Sequence, residues 1–126
     1  MECYFGARAL PEENQIGKGA LVLFHIPKVG IRFKAPFSGV NGDHCDLASL
    51  LALLEFIDSN QKYFSNHTFH IYGNNLTLIN QLNGREHSSD MLEPLLQRAK
   101  EYRDKYHFAL EWIPADENSA LNSLLD

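Results

Sequence analysis

The sequence predicts an α/β domain built on a five-stranded mixed sheet, with three antiparallel strands, then two parallel additions, and helices on both faces. Three observations carry this. Short β-rich runs at 2–6, 19–26 and 30–34 are separated by turn-forming residues and suit an antiparallel meander. A broad apolar stripe at helical spacing follows, as expected for a helix packed on a sheet. Beyond it strands alternate with helices, and the strand–helix–strand connection implies parallel pairing in part of the sheet.

The first strand, 2–6, carries Tyr4 and Phe5, and the stretch from Ala7 to Lys18 reads as a loop around Pro11. Pro27-Lys28-Val29-Gly30 turns the second strand into the third, and a loop with Pro and Gly runs over 35–42. A helix is predicted over 44–59, with Leu47, Leu50, Leu51, Leu54 and Ile57 on one side and Leu53 widening the stripe. Asp43 is its expected N-cap, with Asp46 three residues later as the capping-box partner. A strand over 68–73 leads into a short helix over 75–82 that stops at Asn83-Gly84. Ser88 or Ser89 is expected to cap a longer helix carrying Leu92, Leu95, Leu96, Ala99 and Tyr102, with Pro94 near its start. The last strand covers 108–113. Pro114 then begins a final helix with Leu121, Leu124 and Leu125 on its apolar side.

At 126 residues and 44% hydrophobic, the chain suits one globular domain, 1–126, with one core. No apolar run approaches the roughly 20 residues that span a bilayer. No basic segment precedes an apolar one at the N-terminus, so no signal peptide is expected and the setting is expected to be cytoplasmic. Cys3 and Cys45 are then expected to be reduced, and no zinc-ligand spacing is present. The net charge of −5 argues against strong non-specific nucleic-acid binding, although a local basic patch could coexist with it.

Several strings sharpen the picture. Ile71-Tyr72-Gly73-Asn74-Asn75 followed by Leu78-Ile79-Asn80-Gln81-Leu82-Asn83-Gly84, Leu110-Glu111-Trp112-Ile113-Pro114 with Glu117-Asn118 and Leu121-Asn122-Ser123-Leu124, and Cys45-Asp46-Leu47-Ala48-Ser49-Leu50 together resemble the ribonuclease H superfamily. They stand where that family has a strand ending Asp-Ser before a helix ending Val-Asn-Gly, a last strand with an Arg-Glu-x-Asn turn and Ala-Asp-x-Leu, and an Ala-Glu-x-x-Ala-Leu helix start. Tyr4-Phe5-Gly6 stands where the family has an Asp-Gly pair. The resemblance covers nearly the whole chain and is weakest before Gly42.

The resemblance implies a two-metal nuclease site on four carboxylates. The corresponding positions here are Phe5, Asp46, Asn74 and Asn122, so one carboxylate of the four survives. Paired Mg²⁺ ions about 4 Å apart need anionic oxygen around them. Phe5 has none, and the asparagines offer neutral amides. The expectation is therefore no catalytic residue and no resident cofactor, with Asp46 as the metal ligand if there is one. Asp43, Asp116 and Glu117 could compensate only through rearranged loops. The chain is expected to act as a nucleic-acid-binding or protein-interaction module, with an RNA–DNA hybrid or duplex, another protein, or a second copy as partner, and no membrane. The alternative is a Mg²⁺-dependent ribonuclease that cleaves the RNA strand of hybrids.

Each position also has a plain structural role. Asp46 can be a helix cap, Asn74 a turn-former, Asn122 a polar helix position, and Phe5, Phe108 and Trp112 core. Arg8, Arg32 and Lys34 are the candidate nucleic-acid contacts, set against ordinary solvated strand positions. Arg8-Ala9-Leu10-Pro11-Glu12-Glu13 replaces the family's glycine-rich hairpin, and its two glutamates would repel a phosphate backbone. The charges of the long helix, Arg98, Lys100, Arg103 and Lys105 among Glu93, Glu101 and Asp104, read as a solvated face.

Overall fold

In the computed structural model the described residues are 1–9, 19–39, 42–84 and 92–122. They form strands β1 (Glu2–Ala9), β2 (Ala20–Ile26) and β3 (Ile31–Phe37), helices α1 (Gly42–Ser59) and α2 (Gln61–Phe64), strand β4 (His70–Gly73), helices α3 (Leu76–Leu82) and α4 (Glu93–Tyr106), and strand β5 (Ala109–Trp112). The sheet order is β3-β2-β1-β4-β5, antiparallel across the first three strands and parallel from β1 to β4 to β5. This is the mixed sheet that the sequence predicts.

Alternation along the strands sorts the two faces. Cys3, Phe5, Phe24, Ile26, Ile71 and Leu110 turn to the face that carries α1, where Leu47, Leu50, Leu53, Leu54 and Ile57 complete a core together with Leu78 and Leu96. Burying each of these larger side chains contributes about 1.5–3 kcal/mol against exposure. α1 touches both α3 and α4, so these helices share one face of the sheet.

Several boundaries differ from the prediction. β1 runs three residues further, to Ala9, because Ala7, Arg8 and Ala9 pair with Val22, Leu21 and Ala20. β3 likewise continues to Phe37 through Pro36, which an edge strand tolerates because one side of its backbone needs no partner. α2 was not foreseen; it is one short turn that buries Phe64. The expected final helix from Pro114 is a 3₁₀ turn, Ala115–Glu117, followed by further turns to Leu121. Among the described residues, α1, α3 and α4 share one face, and the 3₁₀ helix after Pro114 belongs to the segment on the other. The other face meets this turn segment, where Ser119 Oγ lies 2.7 Å from His25 Nδ1.

α4 begins at Glu93, with Pro94 in its first turn as expected; Ser88 and Ser89 lie outside the described residues, as do Glu12, Glu13, Leu124 and Leu125. Two of its basic residues reach across to α1: Arg98 pairs with Glu55 and Lys105 with Asp58. No described helix is long and apolar enough to cross a membrane.

Candidate functional site

Of the expected site residues, Asp46 and Asn74 lie where β1, β4, the start of α1 and the turn after β5 come together, and Phe5 and Asn122 do not join them. β1 runs parallel to β4, with Glu2 beside His70, Cys3 beside Ile71 and Tyr4 beside Tyr72. Extending that register sets Phe5 beside Gly73 and Gly6 beside Asn74. Phe5 is 1% exposed, and its ring fills the space a side chain at Gly73 would need: a Cβ there would stand 2.5 Å from Phe5 Cζ. Phe5 therefore points into the core. The β1 residue that opens toward the site is Gly6, where a Cβ would meet Asn118 Nδ2 at 3.2 Å and Asn74 Oδ1 at 3.3 Å.

Asp46 sits in the first turns of α1. Its Oδ1 accepts from Ala7 N at 3.0 Å and its Oδ2 from Asn75 Nδ2 at 2.9 Å. It does not close a capping box, because both carboxylate oxygens reach out of the helix to β1 and to the β4–α3 turn. The helix also starts earlier than predicted, at Gly42, which places Asp43 in its first turn and not at the cap. Asp43 Oδ1 accepts from the same Asn75 amide at 2.7 Å. Burial pushes the Asp46 carboxyl above its ordinary range, the bonds from Asn75 and Ala7 pull it back down, and the charge of Asp43 pushes it up again.

Asn75 is the hub of this side of the site. Its Oδ1 caps α3 by accepting from Leu78 N at 3.0 Å, while its Nδ2 holds both aspartates. Asn118 is the hub of the other side and is completely buried. Its Nδ2 donates to Phe5 O and to Asn74 Oδ1, both at 2.8 Å, and its Oδ1 accepts from Ala120 N at 3.1 Å. One side chain thus ties β1, the end of β4 and the turn after β5 together. Asn74 O also accepts from Trp112 Nε1 at 3.1 Å. Trp112 is 46% exposed and is not the core residue predicted, because short β5 ends there and the indole N–H is used on Asn74. Phe108 is buried as predicted.

Asn122 is exposed, and its Nδ2 lies 3.5 Å from Asp116 O. The side chain of that segment that reaches β1 is its neighbour Leu121, whose Cδ2 would stand 3.0 Å from a Cβ at Gly6. Register puts Arg8, Lys34 and Arg32 on the sheet face away from α1, the face onto which Gly6 opens. All three are exposed, and Arg32 Nη1 donates to Ser119 O at 3.1 Å. Beside it, burial and then Arg32 lower the pKa of His25. Tyr4 and Tyr72 stack on this face at 5.3 Å.

Chemically the cluster is mostly neutral. Its polar groups are amides that satisfy one another, and its one carboxylate pair is already bridged by the Asn75 NH₂ group. Among the described residues, no three His, Cys, Asp or Glu side chains gather closely enough to hold a metal ion. Such a donor set does not suit paired hard dications, which require several anionic oxygens. Sequence reasoning missed Gly6, Asn75 and Asn118 as organising residues. Asn118 stood inside the turn string and Asn75 beside Asn74, so chemical type was visible where connectivity was not.

No family model and no curated protein matches the chain. Solved structures do. LC11-RNase H1, isolated from compost by a metagenomic approach, superposes with a TM-score of 0.75 at 13% identity, over 99% of this chain and 97% of that one. The same enzyme in complex with an RNA/DNA hybrid gives 0.70 at 12% identity, over 98% and 99%. RNase H1 from the halophilic archaeon Halobacterium salinarum NRC-1 gives 0.65 at 15% identity, over 98% and 92%. The chain has the ribonuclease H-like fold.

Proposed function

We propose that this domain is a ribonuclease H-like module without two-metal nuclease activity, retained for binding. One observation carries the reading: at the centre of the site Gly6 opens toward a buried Asn118 that donates to Asn74, and two carboxylates beside it, Asp46 and Asp43, share one amide donor. The amide groups supply the cross-linking between strands that cations would otherwise supply, and they carry no charge to attract such ions. No residue is assigned a catalytic role. Asp46 is the residue to which a divalent ion would bind if one did.

A nucleic-acid partner is supported by the hybrid bound to one structural relative and by Arg8, Arg32 and Lys34 on the face onto which the site opens. Such contacts bind through phosphates, so affinity would fall steeply with salt. Both cysteines are free and buried, and burial pushes the Cys3 thiol up to about 12, which leaves it inert and fits a reducing, cytoplasmic setting.

The direct test is cleavage of a labelled RNA–DNA hybrid in Mg²⁺ and in Mn²⁺. No product above the protein-free control is expected, from the natural chain or from Asp46→Asn. Cleavage by the natural chain that disappears in Asp46→Asn would establish the alternative, a metal-dependent ribonuclease that uses Asp46.

A further inference from the structure

β3 is an edge of the sheet, and among the described residues no strand lies beyond it. It is seven residues long, so its outer side presents an extended row of backbone groups that no other described strand pairs. Its two faces differ in kind. Toward α1 it places Ile31, Phe33, Ala35 and Phe37 along an apolar cleft. Toward the opposite face it places Arg32 and Lys34, both exposed.

A cavity of about 290 Å³ lies between Val29, Ile31, Phe56 and Tyr63, and a second of about 360 Å³ lies between Phe33, Phe37, Ala48 and Leu51. Among the described residues, three of the five exposed large hydrophobic side chains line these two cavities, Val29 at 46% and Tyr63 at 70% the first and Phe33 at 36% the second. Apolar side chains gathered in this way mark interaction surfaces, whereas singly scattered ones do not.

Charge decides the occupant. A second copy pairing its own β3 antiparallel would bring Arg32 and Lys34 of one chain against the same residues of the other, and like charges across a strand pair are destabilising. Such basic residues, with Pro36, are how edge strands resist self-association. A strand with acidic residues at alternate positions meets the opposite situation, because its carboxylates fall beside Arg32 and Lys34 while its apolar residues enter the cleft. We infer that β3 accepts an extended protein segment of alternating acidic and apolar residues, added to the sheet as a sixth strand. This surface shares Arg32 and Lys34 with the proposed nucleic-acid contacts, so an acidic strand and a phosphate backbone would compete for it, whether or not the domain cleaves hybrids.

The test uses the full chain and a fluorescent nine-residue peptide alternating Glu with Val and Phe. Its controls are the same peptide with Lys for Glu, and the Glu peptide N-methylated at alternate backbone amides. Saturable binding of the Glu peptide is expected, together with slowed amide exchange along β3 and loss of binding on N-methylation. Lys34→Glu, an exposed change that leaves folding intact, is expected to weaken the Glu peptide at least about tenfold and to favour the Lys peptide; each 1.4 kcal/mol corresponds to a factor of ten. Phe33→Ser should also weaken it. Equal affinity for the two peptides, indifference to Lys34→Glu, or no binding would overturn the inference. So would a single-stranded DNA probe that slows amide exchange along β3 as fully as the peptide does, since β3 would then be a phosphate contact and not a strand-pairing edge. A dimer in sedimentation that blocks the peptide would show a second copy to be the occupant.

Discussion

Phe5→Asp is expected to leave no folded protein at room temperature. The resemblance in sequence implies a metal-binding aspartate at this position, yet the ring here is 1% exposed and packed under Gly73, on the α1 side of the sheet. Removing a buried phenylalanine alone costs about 3–5 kcal/mol. An uncompensated carboxylate in the same space adds several more, or stays protonated at comparable expense. A domain of this size has only about 5–15 kcal/mol of total stability. Gly6→Asp, one residue away, turns its side chain away from the apolar core toward Leu121, Asn118 and Asn74, which need give by only a few tenths of an ångström. It is expected to fold with a modest loss. Far-UV circular dichroism and urea unfolding of both variants check this; a folded, cooperatively melting Phe5→Asp would mean that the face of β1 has been misjudged.

Asn118→Ala is expected to destabilise the domain by about 3 kcal/mol, which is large for a residue on a turn. The side chain is completely buried and makes three hydrogen bonds that join β1, the end of β4 and the chain after β5. Truncation strands the Asn74 amide oxygen and the Ala120 amide, and each buried group left unpaired costs about 1–3 kcal/mol. Asn118→Asp should be at least as damaging. Its carboxylate could still accept from Ala120 N but would present oxygen to Phe5 O and Asn74 Oδ1 where a donor is required. The midpoint of urea unfolding is the measurement, with an unchanged slope showing that stability alone has moved. A loss below about 1 kcal/mol would show the amide network to be incidental.

Much of the architecture was legible from periodicity. The α1 stripe, the meander and the two parallel additions each left a repeat of residue type that only one layered arrangement can bury. The faces of β1 were harder to read. Tyr4, Phe5 and Gly6 are consecutive, adjacent strand residues point opposite ways, and only the register with β4 shows that Gly6 faces Asn74 while Phe5 faces the helices. The same limit hid Asp46. Its spacing from Asp43 fits a capping box, but Ala7 and Asn75, 39 and 29 residues distant in sequence, hold it instead. Pro36 argued for a loop and is accommodated because β3 is an edge, a property of the assembled sheet. The final helix failed for a local reason: after Pro114, the Asn118 side chain bonds to Ala120 N and to other strands, which competes with helical pairing.

The central claim is that the site lacks the charge to gather paired divalent ions. A Mn²⁺ titration followed by electron paramagnetic resonance tests it most directly, since free and bound ions give distinct signals. The natural chain and Asp46→Asn are expected to take up no Mn²⁺ stoichiometrically at millimolar concentration and to be indistinguishable. Two ions bound per chain, with spin coupling between them and loss of both in Asp46→Asn, would contradict the claim.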